Sequence, residues 1–144
     1  MSSTEKIVLR SVSKPEKENV DSMLDWFCRV FDISSGEGST EIAILKELLS
    51  KSIAGEGVTS MELTEKLSLP RSTAIYHLNR LIQMGIAVRK GRKYYLRSSD
   101  MEETISELQA DIEREFKRIG EFAQKIDELI EREINGREKR ARKR

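Results

Sequence analysis

The segment from Val58 to Arg97 constrains this chain more than any other, because two short amphipathic patterns and a hairpin follow one another with almost no connecting residues. Thr59 and Glu62 have the spacing of a capping box, which opens a short helix with Met61, Leu63 and Leu67 as its apolar positions. Ser68, Leu69 and Pro70 then form a tight turn. Pro70 cannot continue the helix before it, yet suits the first turn of the next. The second helix is expected from about Arg71 to Met84 and stops at Gly85. Ala74, Leu78, Leu81 and Ile82 recur at helical spacing on one face, and Arg71, Ser72, Ile75, Tyr76, Asn79 and Arg80 fall on the other. Two short helices joined in this way, the second with a polar outer face, make a helix-turn-helix.

Strand-like residues 86–90 and 93–97 flank Gly91-Arg92, where Gly at the first central position meets the demand of a type II′ turn. A hairpin placed directly after the second helix is a wing. Its tip and flanks carry Arg89, Lys90, Arg92 and Lys93. Four cations in so small a space repel one another unless an anion lies nearby, and a phosphate backbone is the natural partner. Tyr94 and Tyr95 point to opposite faces of their strand, one to the helices and the other to solvent or DNA, with nothing to say which.

The formal charge of +1 conceals a strong segregation. Residues 1–58 carry a net −3, residues 59–100 a net +5, residues 101–134 a net −6 and residues 135–144 a net +5. A basic segment beside an acidic one implies that one region faces phosphate and another faces solvent or protein. The chain has 144 residues, room for one modest core and an extension. No apolar run approaches the roughly 18 residues that cross a bilayer, and Met1–Lys6 has no apolar stretch of the secretory kind. Together these imply a cytoplasmic protein that does not enter membranes. The single cysteine, Cys28, cannot form an internal disulfide or a cysteine-rich zinc site, and reads as a small core residue.

Before this segment, residues 1–12 read as a loose arm in which Ile7, Val8 and Leu9 can extend. Ser13, Pro15 and Glu16 place a helix start near Lys14, with Val20, Met23, Leu24, Phe27, Val30 and Phe31 as one stripe and Trp26 on its flank. Gly36 and Gly38 end that unit. Ser39 or Thr40 caps a further helix whose buried stripe is Ile42, Leu45, Leu48 and Leu49, and Gly55 and Gly57 break the chain again.

After it, Ser99 and Glu102 form another capping box and Gly136 supplies a stop, which leaves about 35 residues or roughly 50 Å of helix. Ile105, Ile112, Ile119 and Ile126 repeat every seven residues. Met101, Leu108, Phe122 and Leu129 fill the partner position, and Glu115 interrupts it. Such spacing sustained over four heptads marks a coiled coil, here between two copies of the chain, with the direction of the strands open. Ile105, Leu108, Ile112, Ile119, Phe122, Ile126 and Leu129 are the expected dimerisation residues. The basic tail 136–144 reads as disordered.

The sequence Leu67-Ser-Leu-Pro-Arg-Ser-Thr-Ala-Ile-Tyr-His-Leu78, followed by Leu81 and Gly85-Ile86, resembles the recognition-helix region of ArsR-like winged-helix regulators. The Leu69–Ser72 turn also resembles that of archaeal TrmB-like regulators. The likeness covers about residues 40–97. It implies that Arg71, Ser72, Thr73, Ile75 and Tyr76 approach the major groove of DNA and that the wing approaches backbone or minor groove. Metal-sensing ArsR proteins carry cysteines in the first helix of the motif, whereas Ser60–Leu67 here has no thiol.

The fold expected is therefore mainly α with a small β-hairpin: an arm and helix over 1–38, a winged helix-turn-helix over 39–98, a coiled-coil helix over 99–135 and the tail. The expected function is a transcriptional regulator that binds duplex DNA as a homodimer; a winged helix used for protein contact within the transcription machinery is the alternative. DNA-contacting residues are Arg71, Ser72, Thr73, Ile75, Tyr76, Asn79, Arg80, Arg89, Lys90, Arg92 and Lys93. Ser72 and Thr73 serve equally well as residues that merely start the helix. His77 has no nucleophile or pocket around it and reads as a packing residue or a DNA contact. No enzymatic activity, cofactor or metal is expected, and any small effector would bind near Trp26, Phe27 and Phe31.

Overall fold

The computed structural model describes residues 5–33 and 39–142 and is mainly helical, with a small antiparallel sheet and a long carboxy-terminal helix. The chain divides into two compact units, Met1–Leu108 and Gln109–Arg144. The loop expected at Gly36 and Gly38 lies outside the described residues.

In the first unit, α1 spans Val20–Val30 and α2 spans Thr40–Ile53. The helix expected from Lys14 begins six residues later, because Asn19 rather than Ser13 supplies the cap: the Ser22 N–H donates to Asn19 Oδ1 at 2.8 Å. Val20 and Met23 are consequently exposed, and of the expected stripe only Leu24 and Phe31 are buried, together with Asp25, Cys28 and Ile33 of the same region. The arm is not loose over its described part. The Glu5 and Lys6 N–H groups donate to Gln83 O, the Arg10 N–H to Val30 O, and the Trp26 indole N–H to Val12 O. Ser39 caps α2, and Ile42, Ile44, Leu45 and Leu48 are its buried aliphatics.

A two-residue strand, β1 (Val58–Thr59), leads into α3 (Ser60–Leu67), with Thr59 Oγ1 accepting the Glu62 N–H at 3.1 Å as the capping box requires. Leu63 is fully buried, but Met61, read as apolar and inward, is 64% exposed. Helix α3 closes on Ser68 in the left-handed region (φ 52°), and after one intervening residue Pro70 occupies the cap position of α4 (Arg71–Gln83). The end of α4 is a Schellman closure. Ile86 N–H donates to Leu81 O and Gly85 N–H to Ile82 O, and Gly85 has φ 81°, which a side chain would disfavour.

Strands β2 (Ala87–Lys90) and β3 (Lys93–Leu96) pair across a two-residue turn, with Lys90 opposite Lys93 and Arg89 opposite Tyr94. Gly91 has φ 64° while Arg92 is not among the positive-φ residues, which fits type II′ rather than type I′. The sheet has a third strand that the sequence pattern did not announce. β1 pairs with β3, so the order is β1-β3-β2. The Leu96 N–H donates to the buried Ser52 Oγ at 2.9 Å, tying the sheet to α2.

Helix α5 spans Met101–Arg142. Asp100, not Ser99, caps it, accepting the Glu103 N–H at 2.8 Å, while the Ser99 hydroxyl donates to Glu103 Oε2. Its opening turns belong to the first unit: Thr104 is fully buried and accepts the Ser98 N–H, and Leu108 is 2% exposed. Leu108 is thus a core residue of its own unit and is withdrawn from the expected dimerisation set. The helix also runs through Gly136, where a stop and a disordered tail were expected. Lys139, Arg140 and Arg142 in its last turn favour continuation, because cations there offset the negative end of the helix dipole.

Gly57 offers a direct test of this packing. A Cβ built there lies 2.6 Å from Tyr95 Cζ and 2.9 Å from Lys93 Cβ. Gly57→Ala should lower unfolding free energy by about 1–3 kcal/mol through overpacking. Urea unfolding of Gly57→Ala with and without Tyr95→Ala should show that removing the ring recovers part of the loss.

Candidate nucleic-acid interface

Helix α4 turns Ala74, Leu78 and Leu81 into the core and leaves Arg71, Ser72, Tyr76 and Asn79 exposed, with Tyr76 57% accessible. Thr73, Ile75 and Arg80 are half-buried. The expected outward face therefore exists, but Arg80 is partly engaged within the chain. Its Nη2 donates to Asp32 O at 3.2 Å, and its guanidinium lies 5.9 Å from the Tyr76 ring centroid. Arg71 sits at the amino terminus of α4, which has no acidic residue in its first turn. A cation at the positive end of a helix dipole is unfavourable unless an anion joins it.

The pleat sorts the hairpin side chains. Tyr94 and Leu96 are buried on the face toward the helices, and Arg89, opposite Tyr94, shares that face at its outer rim. Its guanidinium lies 5.5 Å from the Tyr94 ring centroid and donates from Nε to Gly91 O at 2.9 Å. Tyr95 is the half-exposed tyrosine, on the other face with Lys90 and Lys93, and the Lys90 ammonium lies 5.6 Å from its ring centroid. Arg89, Lys90, Arg92 and Lys93 are all exposed. Lys90 and Lys93 are direct cross-strand partners, and like charges so placed destabilise a sheet.

From Lys66 to Ser99 the chain carries eight cations and no carboxylate. Two of these cations are partnered from other elements: Lys66 Nζ lies 2.9 Å from Glu47 Oε2 and Arg97 Nε lies 3.9 Å from Glu107 Oε2. Among the described residues, no ion pair to a carboxylate involves Arg71, Arg80, Arg89, Lys90, Arg92 or Lys93. The surface suits polyanion binding by charge and by exposure.

The two residues with chemical potential elsewhere are turned inward. His77 is largely buried, with Nε2 3.9 Å from Glu41 Oε1 on α2 and its ring against Tyr76. That orientation serves packing and takes the ring away from the exposed face. Cys28 is fully buried, and its thiol is pushed up from 9.0 to about 12, first by burial and then by the nearby Glu41 and Asp25 carboxylates. Among the described residues no group of three or more His, Cys, Asp or Glu is arranged to hold a metal ion, and no helix is long and apolar enough to cross a membrane. Trp26 and Asp25 line a cleft with Val12, Pro15 and Arg29, and Phe31 lines another with Arg80 and Met84. Comparison with protein-family models, curated proteins and solved structures finds no match for this chain.

Cys28 should resist a soluble disulfide reagent at pH 8 in the folded protein and react promptly in denaturant, because only the thiolate attacks. The raised folded-state value also sets a sign. Between pH 9 and about 12 the unfolded chain loses this proton and the folded chain keeps it, so stability from this group is full below pH 9 and falls across that window. Comparison of alkaline unfolding curves for the protein and Cys28→Ala should show the steeper fall in the former.

Proposed function

We propose that this chain is a winged helix-turn-helix protein that binds duplex DNA as a homodimer and regulates transcription. The observation that carries the reading is the run of exposed cations on the hairpin tip, beyond a helix that presents Arg71, Tyr76 and Asn79 outward. On this reading α4 enters the major groove, with Arg71, Ser72, Tyr76 and Asn79 toward base edges. Arg89, Lys90, Arg92 and Lys93 neutralise flanking phosphates, which relieves the opposition of Lys90 and Lys93. Arg80, Thr73 and Ile75 hold the helix in place more than they touch DNA. The resemblance of residues 67–86 to ArsR-like regulators supports the same assignment, and the absence of a thiol in Ser60–Leu67 separates this chain from the metal-sensing members.

The dimer reading rests on the second unit. Phe116, Ile119, Phe122, Ile126, Leu129, Ile130 and Ile134 are exposed on one helix, with Phe116 at 68% and Ile119 at 58%. A run of large apolar side chains on an isolated helix calls for a partner surface. Ile105 and Ile112 are half-buried, so the seam lies mainly beyond Ile112.

Arg92→Ala with Lys93→Ala should weaken binding to cognate and random duplexes alike. The slope of log K against log salt should flatten by about 0.9 per lost phosphate contact. Tyr76→Ala should instead narrow the gap between cognate and random DNA with little change of slope. A hairpin double variant with altered sequence preference and an unchanged salt slope would contradict these roles.

Ile119→Asp with Ile126→Asp should yield a folded monomer by light scattering, since the core of the first unit is untouched. The cost to association is on the order of several kcal/mol, from two lost aliphatic burials and two charges placed in the seam.

A further inference from the structure

Six apolar residues of α5, five of them exposed and Ile112 half-buried, are arranged almost symmetrically about Ala123. Ile112 and Ile134 lie eleven residues to either side of it, Phe116 and Ile130 seven to either side, and Ile119 and Ile126 four before and three after. At 100° per residue these six fall within about 60° of the direction of Ala123 and form one stripe, while the exposed Phe122 and Leu129 lie about 100° and 120° from it on one flank. Two helices running in opposite directions and crossing at Ala123 set Ile112 against Ile134 and Phe116 against Ile130, so the stripe is complementary to its own reverse. Gly120 falls opposite Ile126 in that register, and apart from its chain neighbours and its own helix backbone no atom lies within 4 Å of where its Cβ would be.

Charge adds an independent preference for direction. Residues 101–113 hold Glu102, Glu103, Glu107, Asp111 and Glu113 and no cation, with Glu107 and Asp111 paired to Arg97 and Arg114 just outside the block, whereas residues 135–144 hold six cations and one glutamate. A parallel pair lays each block beside its own copy, acid against acid at one end and base against base at the other. The helices of a packed pair lie 8–10 Å apart, about one Debye length at physiological salt, so this repulsion is only partly screened. An antiparallel pair lays each basic block along the partner's acidic block. It also brings Lys117 of one copy to the flank that carries Asp127 of the other. Glu113 with Glu131 and Glu115 with Glu133 fall on facing flanks in the antiparallel pair, and Glu113 with Glu115 and Glu131 with Glu133 do so in the parallel one, so they favour neither direction.

We infer that a second copy of this chain covers the exposed face of α5 in the antiparallel direction, crossing near Ala123. The inference rests on the homodimer reading above and specifies its geometry. The carboxy-terminal turns of each protomer then reach toward the acidic start of the other's α5, which gives the basic tail a protein partner rather than a nucleic-acid one.

Spin labels on two single-cysteine variants of the full chain test it. Gln124→Cys and Asn135→Cys both replace exposed, uncharged residues, and the buried Cys28 stays unlabelled, as the unsubstituted protein treated in parallel will verify. Pulsed electron–electron distance measurement on the antiparallel dimer should give a short separation, within about 20 Å, at position 124. At position 135 it should give about 35–40 Å, from 1.5 Å per residue along two oppositely directed helices. Short separations at both positions mean a parallel pair and overturn the inference while sparing the dimer. A dimer by light scattering with a long separation at both positions moves the interface off α5 and overturns it as well. A monomer by light scattering at the labelling concentration overturns the homodimer reading itself, and the inference with it.

Discussion

Burial of α2 on several sides is the constraint on which the first unit depends. This helix packs against α1, α3, α4, β1 and β3, and Ile42, Ile44, Leu45 and Leu48 are all buried on it. Each large aliphatic side chain removed from water contributes roughly 1.5–3 kcal/mol. A helix so enclosed cannot rotate or slide without opening several contacts together. It therefore determines where α3 and α4 sit, and through Ser52 and the Leu96 N–H it also holds the middle strand of the sheet. The exposed face of α4 and the cationic hairpin tip are carried by elements that share this one support.

The same packing explains why the polar chemistry of the unit is quiet. His77 and Glu41 meet at the α2–α4 contact, and Cys28 lies buried near Glu41 and Asp25. Both sets of groups lie where helices pack against one another. Charge that can act on a partner has instead been moved outward, to Arg71 on α4 and to the four cations of the hairpin. There the cross-strand opposition of Lys90 and Lys93 is a local cost, which on the proposed reading a polyanion removes.

Legibility of the sequence varied with the range of the interactions involved. The Thr59 cap, the Gly85 closure of α4 and the Gly91-Arg92 turn were readable, because each depends on residues within a few positions of one another. Leu63, Leu78 and Leu81 were readable as core from helical spacing. The start of α1 was misplaced because Ser13-Pro15-Glu16 imitates a cap, while Asn19, the residue that caps, has no comparable pattern after it. β1 escaped notice because two residues show no periodicity and pair with a strand 34 positions later. Leu108 was assigned to the dimer seam because a heptad pattern records which face is apolar and not what covers it; here the chain's own unit covers the first two turns. The division of the α4 face into exposed Arg71 and Tyr76 and partly engaged Arg80 depends on Asp32, a contact 48 residues away that no local pattern carries.

The central claim is that the cationic hairpin and the outer face of α4 together meet duplex DNA. A titration of the intact protein against duplex fragments from 50 to 300 mM salt, with an acidic polypeptide as competitor, tests it most directly. The account predicts saturable binding to duplex DNA whose log K falls linearly with log salt, at a slope corresponding to roughly four or more phosphate contacts per protomer. It also predicts that at least one genomic fragment outlasts random sequence as salt rises. Failure to bind duplex DNA at 50 mM salt, or binding indifferent to salt and displaced by the polypeptide, would contradict it.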